Sequence, residues 1–120
     1  MKTLLTVCFL ALFSTAVYVS MPMKDPFPES GLCVVEFNAS FNASNSVDWL
    51  DELSDCKGRR IDIVVEPAMQ KEYKIVVVPT IIVFNEGKEV ERFQANIMMM
   101  MESTKEEVQD AIDEILMSDF

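Results

Sequence analysis

A chain of 120 residues, half of them apolar and a quarter charged, can build one hydrophobic core and is too apolar to be disordered. Twenty acidic residues against ten basic ones give a net charge of −10, a surface that repels nucleic acid and anionic lipid head groups. No histidine is present, so the usual general base is missing from any catalytic scheme.

Lys2 is followed by an uncharged run over residues 3–23 that includes Leu4-Leu5, Phe9-Leu10 and Leu12-Phe13. A positive start, an apolar stretch and the small residues Ser14 and Ala16 predict a secretory signal peptide over residues 1–20. Cleavage near Ala16 or Ser20 removes Lys2 and no acid, so the net charge goes from −10 to −11. The protein is then secreted or periplasmic. The uncharged run is also long enough to cross a bilayer, so an uncleaved anchor is the alternative and the one route to a membrane. Cys8 is a poor lipid attachment site, because Val7 precedes it where a small residue is required.

Residues 21–30 carry Pro22, Pro26 and Pro28 and read as an extended tether. The folded domain is expected over residues 31–120. Residues 32–37 are apolar except for Glu36, which suits a strand buried on both faces. Ser44, Asn45 or Ser46 then caps a predicted helix with Val47, Trp49, Leu50, Leu53 and Cys56 turned inward, and Gly58 ends it. A second strand is predicted over 61–65 and a helical crossover over 67–73, an order that makes the first two strands parallel. Strands over 80–84 and 88–93 follow, joined by the hairpin signal Asn85-Glu86-Gly87. Ser103-Thr104-Lys105-Glu106 forms a capping box for a last helix with the apolar stripe Val108, Ala111, Ile112, Ile115 and Leu116. The predicted class is α/β, in the order β-α-β-α-β-β-α.

Two stretches carry a family resemblance. Phe37-Asn38-Ala39-Ser40-Phe41 follows an apolar strand as an aromatic-Ala-x-aromatic turn, and Val78-Pro79-Thr80 precedes the hairpin. Together they resemble the thioredoxin-like superfamily over residues 32–117. The resemblance implies a four-stranded mixed sheet with helices on both faces. Three departures stand out: the leading strand and helix are absent, the stretch before the second strand is short, and Gln94 replaces a glycine near the family's groove. The largest departure is chemical. Asn42 and Asn45 occupy the positions of the Cys-x-x-Cys dithiol, and an amide is neither a nucleophile nor a redox centre.

The resemblance also assigns roles to other positions. Glu36 matches the family's buried acid and Arg60 its neighbouring lysine; without a thiol to serve, they are expected to form a structural ion pair. Cys33 and Cys56, the pair left after signal cleavage, lie where a structural disulfide is reasonable in this fold. Two buried thiols, or an oxidoreductase of redox homeostasis built on these two cysteines, are the alternatives. Pro79 resembles the cis-proline that opens an edge for an extended polypeptide, with Phe41, Val78 and Thr80 as binding residues and Val76, Val77 and Ile97 lining a groove. No cofactor and no nucleic-acid partner are implied.

Two local features stand outside the resemblance. Met98-Met99-Met100-Met101 is open to three readings: a Cu(I) site in a Met-rich metal-binding protein, an adaptable contact surface, or packing beside the last helix. Packing is the preferred reading, and no metal site is assigned. Asn38-Ala39-Ser40 and Asn42-Ala43-Ser44 are glycosylation sequons. The expected function is a secreted or periplasmic thioredoxin-like domain, redox-inactive at the usual site, that binds extended polypeptide.

Overall fold

In the computed structural model, residues 30–118 are described; the expected signal peptide and all of the tether but Ser30 lie outside the described residues. Strand β1 (Leu32–Asn38) is buried along six of its seven residues. That burial follows from its place inside the sheet, whose order is β2-β1-β3-β4. β1 runs parallel to β2 (Lys57–Asp62) and antiparallel to β3 (Thr80–Asn85), which pairs antiparallel with β4 (Lys88–Gln94). A strand covered on both faces needs apolar residues at every position rather than alternate ones.

The alternation of β1 divides the core into two layers. Cys33, Val35 and Phe37 point to one layer with Ile61, Ile63, Ile75, Ile82 and Phe84, closed by Met69 and Tyr73 at helix α1 (Pro67–Glu72). The Tyr73 ring meets Phe37 at 5.7 Å and Phe84 edge-on at 5.4 Å between centroids. Val34, Ile81 and Val83 point to the other layer with Val47 and Leu50, under Val108, Ile112 and Ile115 of helix α2 (Lys105–Ser118). The sheet is mixed and helices lie on both faces, as the sequence implied. Among the described residues no helix is long and apolar enough to cross a membrane.

The hairpin and the last helix follow local chemistry closely. Glu86 at φ 50° and Gly87 at φ 79° give the two-residue loop two left-handed positions, the geometry that matches strand twist. Helix α2 is capped by Thr104, whose Oγ1 accepts the Glu107 N–H at 3.3 Å. The box therefore starts one residue later than the expected Ser103.

Residues 44–62 depart from expectation. The predicted helix over Val47 to Cys56 is replaced by two 3₁₀ segments, Ser40–Asn45 and Leu50–Glu52, with extended backbone at Ser46 (ψ 141°) and Leu53 (ψ 141°). The cause lies at Val47. Its N–H donates to Glu36 Oε2 and its carbonyl accepts from Arg60 Nη2, each at 2.8 Å, so neither backbone group is left for a helical ladder. Asp48, Asp51, Ser54 and Asp55 add weak helix propensity, and Asp55 turns the chain at φ 65°. The inward set is nonetheless the expected one: Val47 and Leu50 are buried, and Trp49, Leu53 and Cys56 pack against the same layer. β2 also begins earlier than predicted, so Gly58 is a strand residue beneath Leu50 and ends no helix.

Candidate functional site

Three segments meet beyond the C-terminal end of β1: the 3₁₀ turn Ser40–Asn45, the Val78–Pro79 step, whose peptide bond is cis, and the loop from Ala95 to Met101. Asn42 joins them. Its side chain is buried (4% exposed). Its Nδ2 faces Met99 O at 3.1 Å, Asn38 Oδ1 at 3.2 Å and Val78 O at 3.4 Å. An amide NH₂ carries two hydrogens, so the longest of these contacts is the shared and weakest one. Asn42 Oδ1 accepts from Asn45 Nδ2 at 2.9 Å, and Asn38 Nδ2 donates to Asn42 O at 3.1 Å and Ser46 Oγ at 2.8 Å. The turn is thus braced by neutral amides, and none of them can become a thiolate or carry electrons. No buried side-chain nitrogen or oxygen among the described residues lacks a partner.

The same network closes both sequons. Nδ2 of Asn38 and of Asn42, the atom a glycan would take, is buried and already donating. A glycan on either amide would have to displace these hydrogen bonds.

Glu36 lies beneath the turn, almost wholly buried, and pairs with the Arg60 guanidinium, whose side chain is 41% exposed. Both residues also hold the Val47 backbone, so their role is to shape the chain between β1 and β2. A recess of about 210 Å³ beside them is lined by Glu36, Arg60 and Asp62 together with the apolar Ala39, Ala43 and Ile61. The Val64 N–H, 2.8 Å from Asp62 Oδ1, is the main cause that holds the Asp62 carboxyl below its ordinary pKa.

The structure draws no bridge between Cys33 and Cys56 and sets them on opposite sides of the sheet. The reason is register. Cys33 pairs with Lys57 across β1 and β2, and side chains one residue apart leave a strand on opposite faces. Cys33 accordingly sits in the layer of α1, while Cys56 packs against the layer of α2. Burial first, then Cys33 and Asp55, push the Cys56 thiol up, which lowers its thiolate fraction and its use as a nucleophile.

Across the turn lies an open apolar groove of about 270 Å³ lined by Phe41, Val76, Val77, Val78, Ile97 and Met99 among others. Phe41 is 72% exposed, Val76 77% and Ile97 99%. Of the four expected binding residues, Phe41 and Val78 line it. Pro79 and Thr80 are buried behind it, with Thr80 Oγ1 donating to Val77 O at 2.7 Å. Gln94 is exposed on β4, opposite Thr80 in the register.

The organiser of the methionine loop, Asn96, escaped the sequence reading. Its Oδ1 accepts the N–H of Met98 at 2.9 Å and of Met100 at 3.1 Å, and its own N–H donates to Met100 O at 3.0 Å. An Asn followed two residues later by the N–H it accepts is an Asx-turn pattern, and that signal is present at Asn96-Ile97-Met98. Met101 packs inward, but Met98, Met99 and Met100 do not, so packing beside the last helix accounts for one of the four.

No family model matches the chain, and no curated protein matches it. Solved structures do. A reduced thioredoxin pre-protein of Schistosoma mansoni aligns over 72% of this chain and 81% of its own, with TM-score 0.58 and 22% identity. A single-site mutant of a Halobacterium salinarum thioredoxin covers 71% of this chain and 74% of its own at TM-score 0.57 and 21% identity. Thioredoxin-2, a component of the malaria parasite protein secretion machinery, covers 76% and 89% at TM-score 0.60 and 12% identity. The chain has the thioredoxin-like fold. At these identities the likeness speaks for the fold and for nothing finer.

Proposed function

We propose that this chain is an extracytoplasmic thioredoxin-fold module that holds an extended, apolar stretch of polypeptide and performs no dithiol exchange at its turn. The observation that carries this reading is the exposure of Phe41, Val76 and Ile97 around one groove. Isolated exposed apolar residues are ordinary, but several around one concave site favour a partner. The buried amide of Asn42 stands where a nucleophile would be needed, and the raised Cys56 thiol supports no second redox centre. The apolar segment over residues 1–20 supports export.

The test pairs two assays on the full chain. Insulin reduction with dithiothreitol should run no faster with the protein than without it. Fluorescein-labelled, carboxymethylated insulin B chain should bind the wild type, and Val76→Asp should weaken that binding about tenfold or more, because a charge would have to be desolvated in an apolar groove. Turnover that is lost in Cys33→Ser, or B-chain binding indifferent to Val76→Asp, would overturn the reading.

A further inference from the structure

The loop that follows β4 exposes three methionines, of which Met99 faces the groove and Met100 a neighbouring recess beside Ser44 and Trp49. Met98 is 70% exposed, Met99 40% and Met100 49%, and Met99 lines the groove beside Phe41 and Val76. The backbone of this loop is fixed independently of those side chains. Asn96 accepts two of its N–H groups, Met99 N–H donates to Asn96 O at 3.0 Å, and Asn42 holds Met99 O at 3.1 Å. Met99 itself sits in the left-handed region at φ 59°. Three thioethers are therefore presented outward on a frame whose hydrogen bonds do not involve sulfur. The other described sulfurs are placed differently. Cys33 is fully buried, Cys56, Met69 and Met101 are partly covered by the core layers, and Met117 is exposed on α2.

We infer that Met98, Met99 and Met100 are an oxidation site for hydrogen peroxide, and that oxidation at Met99, the one of the three that lines the apolar groove, alters that groove. The step is a two-electron oxygen transfer. A sulfur lone pair attacks one peroxide oxygen, the O–O bond breaks, and the departing hydroxide takes the remaining proton to leave as water. The sulfur gains one oxygen and the peroxide is reduced. A thioether becomes a polar sulfoxide, which strips apolar contact from a methionine-lined surface. Because the loop frame is bonded through main chain and amides, the chemistry changes the polarity of the face and leaves the fold in place. The consequence for polypeptide binding rests on the docking reading above; the oxidation site itself does not.

The experiment treats the full chain, carrying Met117→Leu to remove the exposed thioether on α2, with hydrogen peroxide. Peptide mass mapping follows each methionine. Sulfoxide should accumulate at Met98, Met99 and Met100 about fivefold faster than at the half-buried Met69 and Met101. Nile red, a neutral apolar probe that needs no peptide, should lose about half or more of its fluorescence on oxidation, and the far-ultraviolet circular dichroism should not change. Insulin B-chain affinity should fall about tenfold on oxidation. The Met98→Leu, Met99→Leu, Met100→Leu triple variant should show no oxidant-dependent change in Nile red fluorescence or B-chain affinity, whatever its starting affinity. Equal rates at Met69 and Met101, or Nile red fluorescence unaltered at full oxidation, would overturn the inference. Failure of the B chain to bind untreated protein would instead sink the docking reading, with Nile red and mass mapping still deciding the oxidation site.

Discussion

The side-chain amide of Asn42 donates to the main-chain carbonyl of Met99 across 3.1 Å, and so ties the turn after β1 to the loop before α2. The two positions are far apart in sequence, and the same Nδ2 also reaches Asn38 Oδ1 and Val78 O. One neutral side chain therefore fixes the relative placement of the three segments that frame the groove.

Asn42→Ala removes that brace and leaves Met99 O and Asn38 Oδ1 short of a donor. The expected loss is about 1–3 kcal/mol, the range for leaving buried polar groups unsatisfied. Urea denaturation should show a lower midpoint at unchanged slope, and amide exchange should quicken over residues 96–100 before it does in β1. A loss confined to the midpoint, with the loop as protected as before, would show that Asn42 stabilises the turn alone.

Arg60 is expected to matter more than an ordinary surface cation. It neutralises the buried Glu36 carboxylate and donates to the Val47 carbonyl. Arg60→Met strands a buried charge, which typically costs about 3–5 kcal/mol; the partial exposure of the guanidinium brings the expectation to about 2–4 kcal/mol. The double variant Arg60→Met, Glu36→Gln should recover part of that loss in a denaturation cycle. An Arg60→Met variant as stable as the wild type would mean that water already screens the pair.

Much of this architecture is legible in the chain itself, and the unreadable part has a common cause. The run around Val34 and Val35, the positive-φ turn at Glu86-Gly87 and the stripe from Val108 to Ile115 are local signals, and each became the element it suggested. The helix expected over Val47 to Cys56 failed because Glu36 and Arg60, from two different strands, take both backbone groups of Val47. Local propensity has no access to such a contact. The two cysteines are separated by parity: with β2 starting at Lys57, the residue before it faces the layer opposite Cys33. Asn42 was readable as the absence of a thiol, but not as the donor that closes the site.

The acid side of the stability curve carries a signature at β4. The hydrogen bond from Arg92 is the main cause that holds the Glu89 carboxyl below its ordinary range. Arg92 Nη2 also donates to Tyr73 O at 2.6 Å and Nη1 to Lys74 O at 3.0 Å, so the pair helps fasten the end of α1 to β4. A depressed folded pKa means stability that is fully present above the unfolded value and is lost as pH falls through the folded one. Glu89→Gln should therefore flatten the acid limb below the ordinary glutamate range and cost under about 1 kcal/mol at neutral pH, since the pair is largely solvated. An acid limb unchanged by Glu89→Gln would assign the tether to the two carbonyl contacts of Arg92.

Cys56 carries the opposite sign at the alkaline side. Its thiol is raised by burial first, and then by Cys33 and Asp55, so the folded chain favours the neutral form. That contribution is complete below the unfolded pKa and disappears as pH rises through the folded one. Iodoacetamide reacts with thiolate, so the midpoint of the Cys56 alkylation rate should lie at higher pH in the folded chain than in urea. Cys33→Ser should move it part of the way back, because burial, the larger cause, stays. Cys33 itself, fully buried between β2 and β3, should react at the rate of global unfolding. If neither sulfur reacts in urea until a reductant is added, the two are bridged. The layer separation derived from the Cys33–Lys57 register would then have to give way to a local rearrangement at the start of β2.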